Sequence, residues 1–335
     1  MTDKQSIVRT LLANKNTQPA MESATAFAPS NIALVKYWGK RNEGLHLPVT
    51  SSLSVSLGKR GATTRISLAS GNCDEIIIND QVIASDTGLA RRLCAYLDLF
   101  RGDKNVFFRV NSHSTVPIAA GLASSACGFA ALVKALNQFF AWQLSDRALS
   151  ILARLGSGSA SRSFWHRFVL WQCGEREDGM DCYAQPVAPL WSDLCVGLLL
   201  FKTEPKKMSS GKAMRLTMAS EFYQAWPARV DNDLKLTRQA IAARDFKLLG
   251  RTAERNALAM HACMLTAAPS IMYSCAETIN AMKKIWQLRD QGLSLFFTQD
   301  AGPNLKLLFL EEDKHAVQTH FPNLEIVQPY REQLL

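Results

Sequence analysis

The stretch Pro117-Ile-Ala-Ala-Gly121-Leu-Ala-Ser124-Ser125-Ala126 decides how this sequence is read. Small residues dominate it, and a helical pattern follows at once. Ala126, Phe129, Ala130, Val133 and Phe140 recur near helical spacing and make a stripe suited to burial. A Gly/Ser loop that opens a helix offers free backbone N–H groups and a positive dipole end, the physical makings of a phosphate cradle. Its serine hydroxyls can add hydrogen bonds to phosphate or hold magnesium. The same residues also suit a helix start packed tightly on a sheet, and both readings are open on these residues alone. The chain has no Gly-x-x-x-x-Gly-Lys-Ser/Thr pattern, so this is not a Walker A loop.

Outward from that loop, the N-terminal half reads mainly as strands. Residues 25–29 and 33–38 suggest two short strands around a Pro-Ser-Asn turn. Residues 51–57 alternate polar and apolar, residues 63–68 and 75–83 follow as further strands, and Asn79-Asp80 is a hairpin turn. Residues 88–98 read as a helix, 106–110 as a strand, 146–155 as a helix capped by Ser145, and 168–171 as a strand. After the Pro/Asp/Trp-containing stretch 185–193 comes an apolar strand at 195–201. Helical patterns then cover 213–226, 231–243, 246–259 and 269–289, and a strand at 293–297 leads to a tight turn at 300–304. Strands grouped with helices, without strict βαβ alternation, predict an α+β fold. The chain divides into an extension, 1–23, a frayed tail or short helix, and two domains, 24–190 and 191–335.

The composition narrows the function classes. The 335 residues carry 38 Lys+Arg and 29 Asp+Glu, a formal net charge of +9, with 47% hydrophobic residues. That excludes disordered, collagen-like and coiled-coil chains. The charge points to nucleic acid, an anionic surface or a polyanionic small substrate. Basic residues are scattered, with no run of five and no aromatic/basic platform, so an RNA-binding module has only the net charge behind it. Eight cysteines without a C-x-x-C spacing and six dispersed histidines predict reduced core thiols, no structural zinc site and a cytoplasmic protein. Residues 1–21 lack the apolar core of a signal peptide, and no stretch suits a membrane span.

Four co-linear motifs carry a resemblance. The small-residue loop is similar to the phosphate loop of the GHMP kinase superfamily. Ala28-Pro-Ser-Asn31-Ile-Ala-Leu-Val-Lys36-Tyr37-Trp38-Gly39-Lys40-Arg41, Gly156-Ser-Gly-Ser159-Ala-Ser-Arg162-Ser163 and Asp300-Ala-Gly-Pro-Asn304 resemble the diphosphomevalonate decarboxylases within it. The resemblance implies a two-domain GHMP-kinase fold. Its N-terminal domain is ribosomal-protein-S5-domain-2-like, its C-terminal domain is ferredoxin-like, and the active-site cleft lies between them. It implies ATP and Mg2+ as cofactors, mevalonate 5-diphosphate as the small-molecule substrate, isopentenyl diphosphate as product, a homodimer, and no nucleic-acid or membrane partner. A same-fold enzyme acting on mevalonate 5-phosphate or mevalonate is the alternative, and a non-catalytic RNA-binding protein the remote one.

Residue by residue, the resemblance makes Asp300, Lys36 and Arg162 catalytic. It assigns substrate contacts to Tyr37, Lys40, Ser157, Ser159, Arg162, Ser209 and Ser210. It places ATP phosphates on Pro117, Ala120, Gly121, Leu122, Ala123, Ser124, Ser125 and Ala126, with Ser124 on magnesium. The residue chemistry agrees. Lys36 and Lys40 share parity with Trp38, so a continuing strand would put both ammonium groups on one face, where an anion would relieve their repulsion. Arg162 offers a planar fork for carboxylate or phosphate. Asp300 follows an apolar strand, where a carboxylate can be held rigidly. Three positions depart from the family pattern: Ile118 for Thr, Asn42 for Asp, and Arg167 for a Gly whose loss predicts local strain if φ is positive there.

Overall fold

The computed structural model describes residues 3–102, 105–116, 124–202 and 208–330. A short helix α1 (Lys4–Leu11) begins the chain, with Asp3 and Ser6 forming a capping box. Its Ile7 and Val8 are buried in the main core, and Trp142 Nε1 donates to the Asn16 carbonyl at 2.8 Å. The extension is therefore a docked element rather than a frayed tail.

Two long antiparallel strands, β1 (Ser23–Val35) and β4 (Ser52–Leu68), form the spine of the first sheet. The sequence suggested two pairs of shorter strands here. Instead the chain runs on through Pro29 and Gly58, absorbing the irregularity as register shifts after Pro29 and Ala33. Between them lies a ribbon of β2 (Lys40–Asn42) and β3 (Leu47–Pro48). The sheet is completed by β5 (Glu75–Ile78), β6 (Gln81–Val82), β7 (Phe108–Ser114), β8 (Phe168–Trp171) and β9 (Ala184–Val187), in the order β6-β5-β7-β4-β8-β9 with β1 on β4. Asn79 and Asp80 have φ of 47° and 64°, as the β5–β6 turn requires.

Helices α2 (Gly88–Leu97), α3 (Ser124–Phe139) and α4 (Asp146–Gly156) accompany this sheet. The stripe read from sequence is the buried face: Ala126, Phe129, Ala130, Val133 and Phe140 are each at most 4% exposed. Ser145 caps α4 by accepting from the Ala148 N–H. Gly156 ends α4 against the Phe129 ring, where a Cβ would lie inside the ring's van der Waals surface. Gly156→Ala is expected to cost about 1–3 kcal/mol and to shift the 3-10 turn Gly158–Arg162 that follows. A urea unfolding midpoint equal to the wild type's would refute the close-packing reading.

The second half contains β10 (Leu194–Leu199), the helices α5 (Ser210–Met218), α6 (Trp226–Ala243), α7 (Phe246–Leu265) and α8 (Ala276–Asp290), then β11 (Phe296–Gln299), β12 (Leu305–Leu310), α9 (Lys314–His320) and β13 (Glu325–Val327). The sheet order β11-β12-β10-β13, all antiparallel, is the split β-α-β-β-α-β arrangement of a ferredoxin-like domain with extra helices in its first crossover. Strands β12 and β13 and helix α9 were not read from the sequence. The helix expected over 213–226 breaks into α5 and a 3-10 turn, Glu221–Ala225, before Pro227 opens α6. The helix expected from 269 starts seven residues later, at the Cys275–Thr278 cap. The mixed architecture agrees with the α+β, two-domain expectation.

Candidate active site

A cavity of about 620 Å³ opens between the two sheets. At one end it is lined by Tyr37, Lys40, Ser157, Ser159, Arg162, Ser209, Ser210 and Asp300, all of them picked out from the sequence. Its remaining lining is mainly apolar, with Ala62, Ile76, Ile78 and Val110 of the sheet and Leu93, Phe129 and Leu132 of the helices, interspersed with the hydroxyl residues Thr64, Ser112, Ser114 and Ser125.

Asp300 sits in the turn between β11 and β12. Its Oδ1 receives Lys36 Nζ at 2.6 Å and its Oδ2 receives Lys306 Nζ at 3.2 Å. Both lysines are 1% exposed. Burial alone would raise the Asp300 carboxyl, but the two ammonium groups outweigh it and hold the group well below the usual carboxylate range. Burial pulls the Lys36 ammonium down to about 8 although Asp300 opposes it. Lys36 Nζ also donates to the Ala33 carbonyl at 2.7 Å, and its backbone N–H donates to Asn256 Oδ1. Asn256 is fixed in turn by the fully buried Asp233, which is paired with Arg255 at 2.6 Å. His261 Nε2 contacts the Asp300 carbonyl at 3.2 Å. A carbonyl only accepts, so that nitrogen carries the proton. The turn itself is held by Asn304, whose Oδ1 accepts from the Phe201 and Lys202 N–H groups.

Arg162 is buried at the end of its 3-10 turn. Its Nε donates to Asn31 Oδ1 at 3.2 Å, its Nη1 donates to Ser52 Oγ, and the guanidinium lies 5.7 Å from the Trp171 ring centre. Among the described residues it has no ion-pair partner. Burial lowers it to about 10, against the pull of Asp300. Next to it, the Tyr37 hydroxyl is buried and has no hydrogen-bond partner among the described residues. Ser157 and Ser159 place their hydroxyls 3.3 Å apart. Ser209 is the N-cap of α5, accepting from the Lys212 N–H, and Ser210 is its first residue.

Two sequence expectations are corrected. Lys36 and Lys40 do not share a strand face. The strand ends at Val35, and Gly39 has φ +109°, a conformation that turns the chain out of alternation. The Trp38 carbonyl is held there by Tyr223 Oη at 2.8 Å and Trp226 Nε1 at 2.9 Å. Lys36 therefore lies behind Asp300, while Lys40 lines the cavity. Arg167 has no positive φ, so it brings no backbone strain. Asn42 accepts from the Leu45 N–H at 2.9 Å and fits its turn. Pro117, Ile118, Ala120, Gly121, Leu122 and Ala123 lie outside the described residues, as does the side chain of Ser124.

Sequence reasoning missed Lys306, Asn256, His261, Arg92 and His46. Lys306 left one signal, a lone cation inside the apolar run Leu305-Lys-Leu-Leu-Phe-Leu310. Arg92 and His46 line the cavity near Lys40. Burial pushes His46 down to about 3 and His261 to about 4. Both histidines fold neutral, whereas an unfolded chain protonates them near 6.5. The unfolded state therefore binds more protons between those values, and stability falls as pH drops below about 6.5. We expect about 2–4 kcal/mol less stability at pH 5 than at pH 7 from this pair, measured as a shift in urea midpoint that His46→Asn makes smaller. Equal midpoints at the two pH values would contradict it.

Residues 28–184 match the family model of the diphosphomevalonate decarboxylase-like N-terminal domain, and residues 196–331 match that of the mevalonate 5-diphosphate decarboxylase C-terminal domain. The chain belongs to the diphosphomevalonate decarboxylase family. A diphosphomevalonate decarboxylase of Aspergillus fumigatus is 35% identical over 321 residues, covering 88% of this chain and 78% of that protein. The crystal structure of mevalonate diphosphate decarboxylase from Staphylococcus aureus is similar with a TM-score of 0.84 and 35% identity, covering 92% and 95% of the two chains. A structure of the protein called MDDEF, in complex with MVAPP, AMPPCP and magnesium, has a TM-score of 0.83 and 36% identity over 92% and 97%. The diphosphomevalonate decarboxylase models together span both sheets and the cavity between them.

Proposed function

We propose that this cleft carries out the ATP-dependent decarboxylation of mevalonate 5-diphosphate to isopentenyl diphosphate, with ADP, phosphate and CO2 as the other products. The observation that carries the reading is the buried Lys36–Asp300–Lys306 cluster facing Arg162 across one cavity. The tertiary 3-hydroxyl is a poor nucleophile and needs alignment. Asp300, ionised and rigid, accepts its hydrogen bond and points its oxygen at the γ-phosphoryl group of ATP. Two ammonium neighbours make Asp300 a weak base, so the hydroxyl proton moves late, as the new P–O bond forms and the oxygen becomes acidic. The C3–O bond then breaks, phosphate leaves, and the electrons of the C–CO2 bond form the alkene. Asp300 opposes the positive charge developing at C3, and Lys36 the negative charge on the phosphate.

Arg162 holds the substrate carboxylate, with Tyr37 supplying its unpaired hydroxyl. Lys40, Ser157, Ser159, Ser209 and Ser210 face the diphosphate. The mainly apolar part of the cavity suits a nucleobase, with Ser125 toward the ATP phosphates; the motif at 117–124 implies the same role for those residues. Magnesium lowers the negative charge of those phosphates when bound. Among the described residues no group of three or more His, Cys, Asp or Glu side chains could hold a metal. By motif, Ser124 would hold the ion beside the nucleotide phosphates. Our reading also includes the division into domains 24–190 and 191–335, a homodimer, a cytoplasmic location, and small molecules rather than nucleic acid as partners. No helix among the described residues is long and apolar enough to cross a membrane. CO2 release from mevalonate 5-diphosphate, with and without ATP and magnesium, tests the activity. Release that needs neither would overturn it, as would turnover of mevalonate or its monophosphate in preference to the diphosphate.

A further inference from the structure

Strands β8 and β9 keep their register beyond the end of their ladder. The last paired residues are Trp171 and Ala184, yet the Gln172 N–H still donates to the Tyr183 carbonyl at 3.0 Å. Gly174 then lies so close to Asp181 that a Cβ on it would meet that side chain. The register 171↔184, 172↔183 and 174↔181 leaves one pair in between, Cys173 and Cys182. Gln172 and Tyr183 are a hydrogen-bonded pair, so the two cysteines occupy the neighbouring non-hydrogen-bonded position, where side chains approach most closely. Two residues on from Trp171 and two before Ala184, they share the face of those side chains.

Both are free thiols, Cys173 half-buried and Cys182 fully buried. The Cα atoms of such a pair lie about 4.5 Å apart, within the span of a disulfide, and only the Cβ atoms, roughly 4.5–5.5 Å apart, must close to about 3.8 Å. Burial pushes the Cys182 thiol up, the Arg154 guanidinium beside it opposes that, and Cys173 is near enough to add to the rise. The backbone on either side is clamped. The Cys173 N–H donates to Ser51 Oγ at 3.0 Å, and the Cys182 carbonyl accepts from Arg154 Nη1 at 2.6 Å. On the same face, the Trp171 ring flanks the Arg162 guanidinium and packs edge-on against Tyr37, with 4.8 Å between ring centres.

We propose that Cys173 and Cys182 are a redox site, a dithiol that a low-molecular-weight disulfide such as oxidised glutathione converts to a cross-strand bond, slowing the cleft beside it. The Cys173 thiolate attacks one sulfur of oxidised glutathione, whose S–S bond breaks and releases the first glutathione thiolate. Cys182, having lost its proton to solvent, attacks the Cys173 sulfur of that mixed disulfide and displaces the second. The two thiol protons end on the two glutathiones, so the protein loses two electrons and one glutathione disulfide gains them. The second step is intramolecular, and proximity compensates for the raised thiol. Closing the bond draws the two strands together by about an ångström, two residues from Trp171, and so disturbs the seat of Arg162. The effect on turnover rests on the decarboxylase reading above; the bond itself does not.

The full chain is incubated with oxidised glutathione, digested with trypsin without reduction and analysed by mass spectrometry. Arg176 lies between the two cysteines, so their peptides stay joined only through the new bond. The cross-link is expected, together with a roughly five- to fiftyfold fall in kcat/KM for mevalonate 5-diphosphate that dithiothreitol reverses. Cys173→Ser and Cys182→Ala are each expected to abolish both effects, whereas Cys73→Ser, at an exposed cysteine, keeps both. Glutathione left on Cys173 with no cross-link would make the proposal wrong. So would a cross-link that leaves kcat/KM unchanged, or an equal loss of activity in oxidised Cys173→Ser. A reversible cross-link in a protein that releases no CO2 even when reduced would sustain the thiol site while removing the activity assigned to the cleft.

Discussion

Asp300→Asn is expected to lower turnover by about three to five orders of magnitude, the equivalent of ~4–7 kcal/mol of transition-state stabilisation. The substitution keeps the shape and the hydrogen-bonding reach of the side chain but removes its charge. A neutral amide can still touch the 3-hydroxyl. It cannot oppose positive charge at C3, and its NH2 faces either Lys36 or Lys306, both of which are donors. The two buried ammonium groups are then left without their counter-charge. Part of that cost is relieved by one lysine losing its proton, so we expect a stability loss of about 2–3 kcal/mol rather than global unfolding. Binding of a non-hydrolysable ATP analogue reports on the folded cleft independently of chemistry and is expected to persist. Turnover within tenfold of the wild type, in protein that binds the analogue normally, would remove Asp300 from the reacting centre.

The residues that could be read in advance are those whose local pattern reports their surroundings. Ser145 before Asp146 announced a helix start because an N-cap is a property of four neighbouring residues. The stripe from Ala126 to Phe140 announced its buried face because helical periodicity is local too. Asp300 and Arg162 were legible only through their motifs, since nothing in an Asp-Ala-Gly-Pro turn by itself states what stands opposite. Lys306 shows the limit. It reaches Asp300 because β12 pairs with β11 in the register Thr298↔Lys306, and register is decided across the sheet. The misreading of Lys36 and Lys40 has a similar origin. Parity holds only while a strand continues; this one stops at Val35, and the chain beyond it is turned at Gly39, with φ +109°, and held by two side chains from more than 180 residues away, Tyr223 and Trp226. Charge was the least legible property of all. A net +9 suggested a polyanion, whereas the cations that matter are few and placed by tertiary structure around one cavity.

Arg162→Gln is expected to cut kcat/KM for mevalonate 5-diphosphate by about 10²–10³ while leaving the affinity for an ATP analogue within about twofold. Arg162 is held from three sides, by Asn31, by Ser52 and by the Trp171 face. Its orientation is therefore set before substrate arrives, and little ordering remains to be done on binding. Among the described residues no carboxylate is ion-paired with it, which leaves the fork available for the carboxylate of the ligand. A lysine at this position would restore charge but not two parallel hydrogen bonds, so Arg162→Lys is expected to recover less than a tenth of the lost activity. The decisive readout is the ratio of CO2 to ADP. Phosphoryl transfer needs the hydroxyl aligned with ATP, a task that falls to Asp300. Decarboxylation further needs the C–CO2 bond aligned with the breaking C3–O bond, a task that falls to Arg162. Loss of Arg162 is therefore expected to slow CO2 release more than ADP formation, so that early in the reaction the ratio drops below one. A ratio that stays at one in slowed enzyme would mean that Arg162 serves binding alone, and unchanged kcat and KM would place it outside the site.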